Sequence, residues 1–149
     1  MKPTVYLEAT VISYLAARPS RDLIIAGHQQ ITRDWWKHVL PLCDPFISPI
    51  VLEEVERGDT DAAQLRREMI AGLPVLEIVP EVGRLAESYF AATVIPEKAR
   101  AAWHGMEYLL SWNCTHIVSG RVRRQIEEIN AGHGIRTPVM CTPEELMEV

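Results

Sequence analysis

The stretch Val5-Tyr6-Leu7-Glu8-Ala9-Thr10-Val11-Ile12-Ser13-Tyr14-Leu15 decides how the chain is read. Its first half belongs to a short apolar strand over residues 3–8 that ends on a carboxylate. Its second half sets Thr10 ahead of Val11-Ile12 and Tyr14-Leu15, which predicts a first helix stopping before Pro19. A strand that passes into a helix across an acidic residue opens an α/β unit. In open α/β sheets, ligands bind at the carboxyl ends of the strands. Glu8 is therefore a candidate site residue, because a carboxylate in an apolar strand belongs at its end or in a site.

The same alternation runs outward from this stretch. Residues 22–40 predict a longer helix with Ile24, Ile31, Trp35 and Val39 on one face. Residues 45–51 predict a second strand running into a helix at Leu52–Arg57. Asp59 caps a helix over 60–71 with Leu65, Met69 and Ile70 inward. Residues 73–79 predict a third strand, and Pro80 opens a helix over 80–92. There Val82, Leu85, Ala86, Tyr89 and Phe90 follow the helical period. Pro96 opens another helix. Tyr108–Trp112 predicts a fourth strand with Asn113 at its C-terminal end. Ser119 caps a helix with Val122, Ile126 and Ile129 inward, and Pro138–Cys141 predicts a fifth strand. Thr142-Pro-Glu-Glu is a capping box. Strands alternating with helices predict one α/β domain over residues 1–149, with a mostly parallel sheet of about five strands and helices on both faces.

Composition agrees with one ordinary core. The 149 residues are 48% hydrophobic and 23% charged, and fifteen Lys+Arg against twenty Asp+Glu give a net charge of −5. That balance excludes a disordered tail or an arm that binds nucleic acid by charge alone. No apolar run approaches the ~20 residues of a membrane span, and the opening residues do not read as a signal peptide. Cys43, Cys114 and Cys141, without a CxxC spacing, fit reduced thiols and a cytoplasmic location.

Three polar positions stand at separate strand ends: Glu8, Glu53-Glu54 and Asn113. Converging carboxylate and amide oxygens suit Mg²⁺ or Mn²⁺. Each position also has a plainer reading. Glu54 near a helix start complements the helix dipole, and Asn113 serves as a turn residue. Arg121, Arg123 and Arg124 form either a solvated helix face or a set of phosphate contacts. No GxxxxGK[ST] or GxGxxG motif is present, and Cys114-Thr-His116 is too little for a zinc site. Trp35 and Trp36 are adjacent, so both indoles cannot face inward, which predicts a homodimer through the second helix.

These residues together resemble the PIN-domain family. Val-Tyr-Leu-Glu-Ala-Thr-Val-Ile-Ser-Tyr-Leu is similar to its opening motif, an acid at the end of strand one followed by Thr or Ser. Ile-Ser-Pro-Ile-Val-Leu-Glu-Glu-Val-Glu-Arg-Gly-Asp resembles the second motif, with Ser48 six residues before Glu54. Tyr-Leu-Leu-Ser-Trp-Asn-Cys-Thr-His-Ile resembles the last motif, in the subgroup carrying Asn for Asp. Thr-Pro-Val-Met-Cys-Thr-Pro-Glu-Glu-Leu resembles the last strand. The nearest group is the VapC-like toxins of bacterial toxin–antitoxin systems. The resemblance implies a PIN-like three-layer α/β/α sandwich and a Mg²⁺- or Mn²⁺-dependent endoribonuclease acting on RNA. It implies Glu8, Glu54 and Asn113 as catalytic residues and metal ligands, with Thr10 and Ser48 in support. It also implies a cognate antitoxin protein as partner and a homodimer.

The chain departs from the pattern once. The family's helix before the Tyr-Leu-Leu-Ser-Trp-Asn strand carries a further Asp, whereas here Pro-Glu-Lys-Ala-Arg-Ala runs straight into Ala-Trp-His-Gly-Met. The Asp and about two turns of helix, expected between Ala101 and Trp103, are absent relative to the resemblance. Weak activity is the corresponding expectation. The alternative is a catalytically inactive PIN-like module that acts in dimerisation or in binding an antitoxin or RNA.

Overall fold

The computed structural model describes residues 1–89, 96–113 and 120–148, with 96 and 97 described by backbone alone. Four strands are described: β1 (Thr4–Leu7), β2 (Asp44–Phe46), β3 (Tyr108–Leu110) and β4 (Val139–Cys141). Between them lie α1 (Ala9–Ala16), α2 (Leu23–His38), α3 (Pro49–Val55), α4 (Thr60–Ile70), α5 (Pro80–Ser88), α6 (Pro96–Trp103) and α7 (Gly120–Gly132). The sheet runs β2-β1-β3-β4 with every pairing parallel. The architecture is α/β and fits a three-layer α/β/α sandwich. Among the described residues no helix is long and apolar enough to cross a membrane.

β1 is central because Val5, Tyr6 and Leu7 are all fully buried. A parallel strand covered on both faces reads as an unbroken apolar run rather than an alternation. Tyr6 stands opposite Phe46 on one side and Leu109 on the other. That register brings the ends of β1, β2 and β3 level.

The second strand is shorter than expected. Ser48 caps α3 by accepting the Val51 amide (3.5 Å), and Pro49 occupies its first turn. Residues 49–51 are therefore helical. This shortening also explains the third expected strand. Over 73–79 the pairing reduces to one bridge between Ile47 and Val75. Ile47 N donates to Pro74 O (3.0 Å) and Leu76 N donates to Ile47 O (2.8 Å), after which the partner chain turns into α3.

Two helix faces differ in part from expectation. On α2 and its C-cap, Trp35 and Val39 are buried as expected, whereas Ile24 is exposed and Gln29 and Thr32 are buried instead. Gln29 is buried at little cost because it accepts from Ser20 N (2.9 Å) and donates to Arg18 O (3.1 Å). On α4, Leu65 and Met69 are exposed, and Ala63 and Ile70 face the core. There Arg66 spans the helix flank, donating to Val55 O (2.9 Å) and Arg57 O (2.6 Å). The capping box after β4 forms as expected: Glu145 N donates to Thr142 Oγ1, and Thr142 N donates to Glu145 Oε1, both at 3.2 Å. Trp35 Nε1 donates to Leu146 O (2.9 Å), so the buried indole fastens this last turn to α2. Phe90, Cys114, His116 and the Ser119 cap lie outside the described residues.

Candidate functional site

Glu8 follows β1 and caps α1. Its side chain is nearly buried, at 7% exposure. One oxygen, Oε2, accepts from Thr10 N (3.0 Å), from Thr10 Oγ1 and from Ser111 Oγ (2.8 Å). Ser111 follows β3, and the pairing of Leu7 with Leu110 sets it beside Glu8. Each hydroxyl gives its single proton to the carboxylate and accepts a backbone amide in return. Asn113 N donates to Ser111 Oγ, and Trp112 N donates to Thr10 Oγ1, both at 3.0 Å. Oε2 takes all the hydrogen bonds this carboxylate makes among the described residues. Oε1 takes none of these bonds.

Glu54 enters from α3 and is half-buried. Burial pushes its carboxyl above the usual glutamate value, and the negative charge of Glu8 pushes it further. Arg57 opposes the shift and Glu53 adds to it. The Glu8 charge thus acts on Glu54 across the ends of β1 and β2. Asn113 is exposed, with its backbone fixed by Ser111. The structure brings Glu8, Thr10, Ser111 and Asn113 into one hydrogen-bonded set, with Glu54 coupled to it by charge.

Ser48 makes no hydrogen bond to the Glu8 carboxylate. Besides capping α3, its Oγ meets the Tyr6 hydroxyl (2.7 Å) and accepts from Arg100 Nη1 (3.1 Å). It anchors the floor under the strand ends rather than the Glu8 carboxylate. The arginine patch is also apart from the acids. Arg121, Arg123 and Arg124 are exposed on α7, Arg124 pairs with Glu128 (3.1 Å), and Arg123 lines a cavity against Thr137–Met140 on the flank of β4.

Three groups were not singled out from the sequence. Ser111 lies 103 residues from the carboxylate it serves; only the strand pairing reveals it. Trp112 is held by His28, stacked at 4.2 Å and 17°, by Tyr14 edge-on at 5.9 Å, and by a bond from its Nε1 to Thr32 Oγ1 (2.8 Å). This aromatic set fixes the segment that carries Asn113. The third group is Arg100.

The donor set fits a small hard cation. Glu8 Oε1, the Glu54 carboxylate and the Asn113 amide are oxygen donors of the kind a small divalent ion takes. Such a set is sparse, and among the described residues no group of three or more His, Cys, Asp or Glu is gathered to hold a metal. Compared with family models, curated proteins and solved structures, the chain finds no match.

Proposed function

We propose that the chain is a PIN-type, VapC-like endoribonuclease of low activity that depends on Mg²⁺ or Mn²⁺. The observation that carries this reading is the carboxylate pair at the strand ends, with Glu8 held on one oxygen and Glu54 raised by burial and then by the Glu8 charge. Glu8, Glu54 and Asn113 would hold the ion, which when bound neutralises charge on a phosphodiester and polarises water. Glu54, with its elevated carboxyl, is suited to accept the proton of the attacking water. The water oxygen would bond to phosphorus as the bond from phosphorus to one ribose oxygen breaks, and that oxygen would take its proton from solvent water. The Asn113 amide donates to a phosphate oxygen, and Thr10 and Ser111 keep Glu8 oriented. Arg121 and Arg123 are candidate contacts for the RNA backbone beyond the site, and Arg124 is a weaker one because of its Glu128 partner. The same reading brings a cytoplasmic setting, a homodimer and a protein antitoxin that covers the crevice.

Cleavage of a generic RNA tests this. The expected result is slow cleavage that requires Mg²⁺ or Mn²⁺, stops with chelator, and falls by about 10²-fold or more in Glu54→Gln, as for loss of a general base. Cleavage that survives both chelator and Glu54→Gln would sink it. One observation favours a second reading, an inactive module that binds a partner. α6, the helix on which the resemblance places a further acid, instead directs Arg100 to Ser48. Absence of any metal-dependent cleavage, with RNA or antitoxin binding retained, would decide for that reading.

A further inference from the structure

Arg100 is 6% exposed. Its Nη1 donates to Ser48 Oγ, and its Nε has no hydrogen-bond partner among the described residues. The ion pairs among the described residues are Arg67–Glu56, Arg84–Glu81 and Arg124–Glu128, so no carboxylate there meets this guanidinium. Residues 90–95 and 114–119 contain no Asp or Glu, and Glu97 on α6 is an acid whose side chain lies outside the described ones. An arginine cannot escape burial by losing its proton. A buried cation without a counter-charge is costly, and the cost is relieved when an anion binds. Its planar fork of five N–H groups matches the oxygens of a phosphate, and among the described residues one of those donors is used.

The place of this group matters as much as its charge. Tyr6 stands opposite Phe46, so extending the register by two residues sets Ser48 level with Glu8. The Tyr6 hydroxyl, on the strand that leads to Glu8, meets the same Ser48 oxygen. Arg100 therefore lies at the carboxyl end of the sheet, on the β2 side of the acids. We propose that Arg100 forms an anion site there, which holds a phosphate group through its guanidinium without a metal ion. The ligand class is a dianionic phosphate, supplied either as free phosphate or as the terminal phosphate of a mononucleotide. The proposal does not depend on nuclease activity, since a chain that never cleaves RNA would still hold the anion.

The test uses the full chain in chelator, with ionic strength held constant by chloride. Thermal unfolding and calorimetric titration are followed with inorganic phosphate and with a nucleoside 5′-monophosphate. Saturable binding is expected, with a melting temperature that rises with phosphate concentration. Tighter binding of the nucleotide would identify it as the ligand class, and equal binding would identify free phosphate. Arg100→Met should lose the phosphate-dependent rise and melt higher than the wild type in phosphate-free buffer, because the stranded charge is gone. Should that variant not fold, Arg100→Lys carries the test. It keeps the charge, loses the fork, and is expected to bind about tenfold or more weakly. Absence of saturable binding in the wild type, or equal affinity in Arg100→Lys, overturns the proposal. So does a Glu97→Gln variant that acquires phosphate binding the wild type lacks, since that would assign the guanidinium to an intrachain partner.

Discussion

At the scale of single residues, Glu54 yields a pH prediction. Its carboxyl is raised above 4.5, first by burial and then by Glu8. A raised carboxyl means the fold favours the protonated form. The associated stability is full below pH 4.5 and is lost as pH rises through the folded value. Glu54→Gln is therefore expected to melt higher than the wild type at neutral pH, with the difference closing under acid. Added Mg²⁺ should narrow the neutral-pH difference by stabilising only the wild type. Thermal melts across the acid range, with and without Mg²⁺, check both statements, and a difference independent of pH would refute the coupling. Glu8 was legible because a carboxylate ended an apolar run, and Thr10 through the resemblance of the opening motif. Ser111 and Arg100 were not, because their partners lie 103 and 52 residues away and local pattern carries no signal for such contacts.

At the scale of elements, the same limit appears in backbone form. β1, β3 and β4 were readable as apolar runs, and the capping box after β4 as a local motif. The expected strand at 73–79 was not sustained, because a strand persists only while its neighbour does and β2 turns into α3 at Ser48. A longer-range tie joins the other flank. Tyr89, just after α5, donates to Asn130 Oδ1 on α7 (2.5 Å), and Asn130 Nδ2 donates to Thr137 Oγ1 ahead of β4 (2.8 Å). Asn130 is fully buried. Tyr89→Phe would strand its oxygen, so a loss of about 1–3 kcal/mol is expected, read by denaturant unfolding. Burial also pushes the Tyr89 phenol up to about 12. The fold thus favours the neutral phenol, and its contribution holds below pH 10 and disappears as pH rises through about 12. Tyr89→Phe should flatten the alkaline limb of the stability curve. A mutant as stable as the wild type would show that the bond contributes nothing.

At the scale of the whole molecule, α6 lies between two apolar clusters. Ala101 belongs to the larger, around β1, Trp35 and Leu110, and Ala99 and Ala102 belong to the smaller, around Val82, Leu85 and Ile126. Small residues on both sides let this short helix join the two, which leaves little room to accommodate larger side chains. Among the exposed apolar side chains, two groups stand out. Val75, Ile78 and Trp103 are exposed near the end of α6, where His104 Nε2 meets Glu77 O (3.1 Å). Leu23 and Ile24 are exposed at the start of α2, at 89% and 71%. The adjacent tryptophans resolve differently from the simple expectation: Trp35 is fully buried and Trp36 is only partly so, packed against the core. A homodimer through α2 would then rest on Leu23 and Ile24 more than on an indole. Adjacent exposed apolar side chains of this size commonly mark an interface. Light scattering is expected to give twice the 16.9 kDa chain mass for the wild type. Leu23→Lys with Ile24→Lys should return it to the single-chain mass, and Ile78→Lys should leave the dimer intact. A wild type that scatters as one chain removes the dimer, and a dimer broken by Ile78→Lys alone would move the interface from α2 to the end of α6.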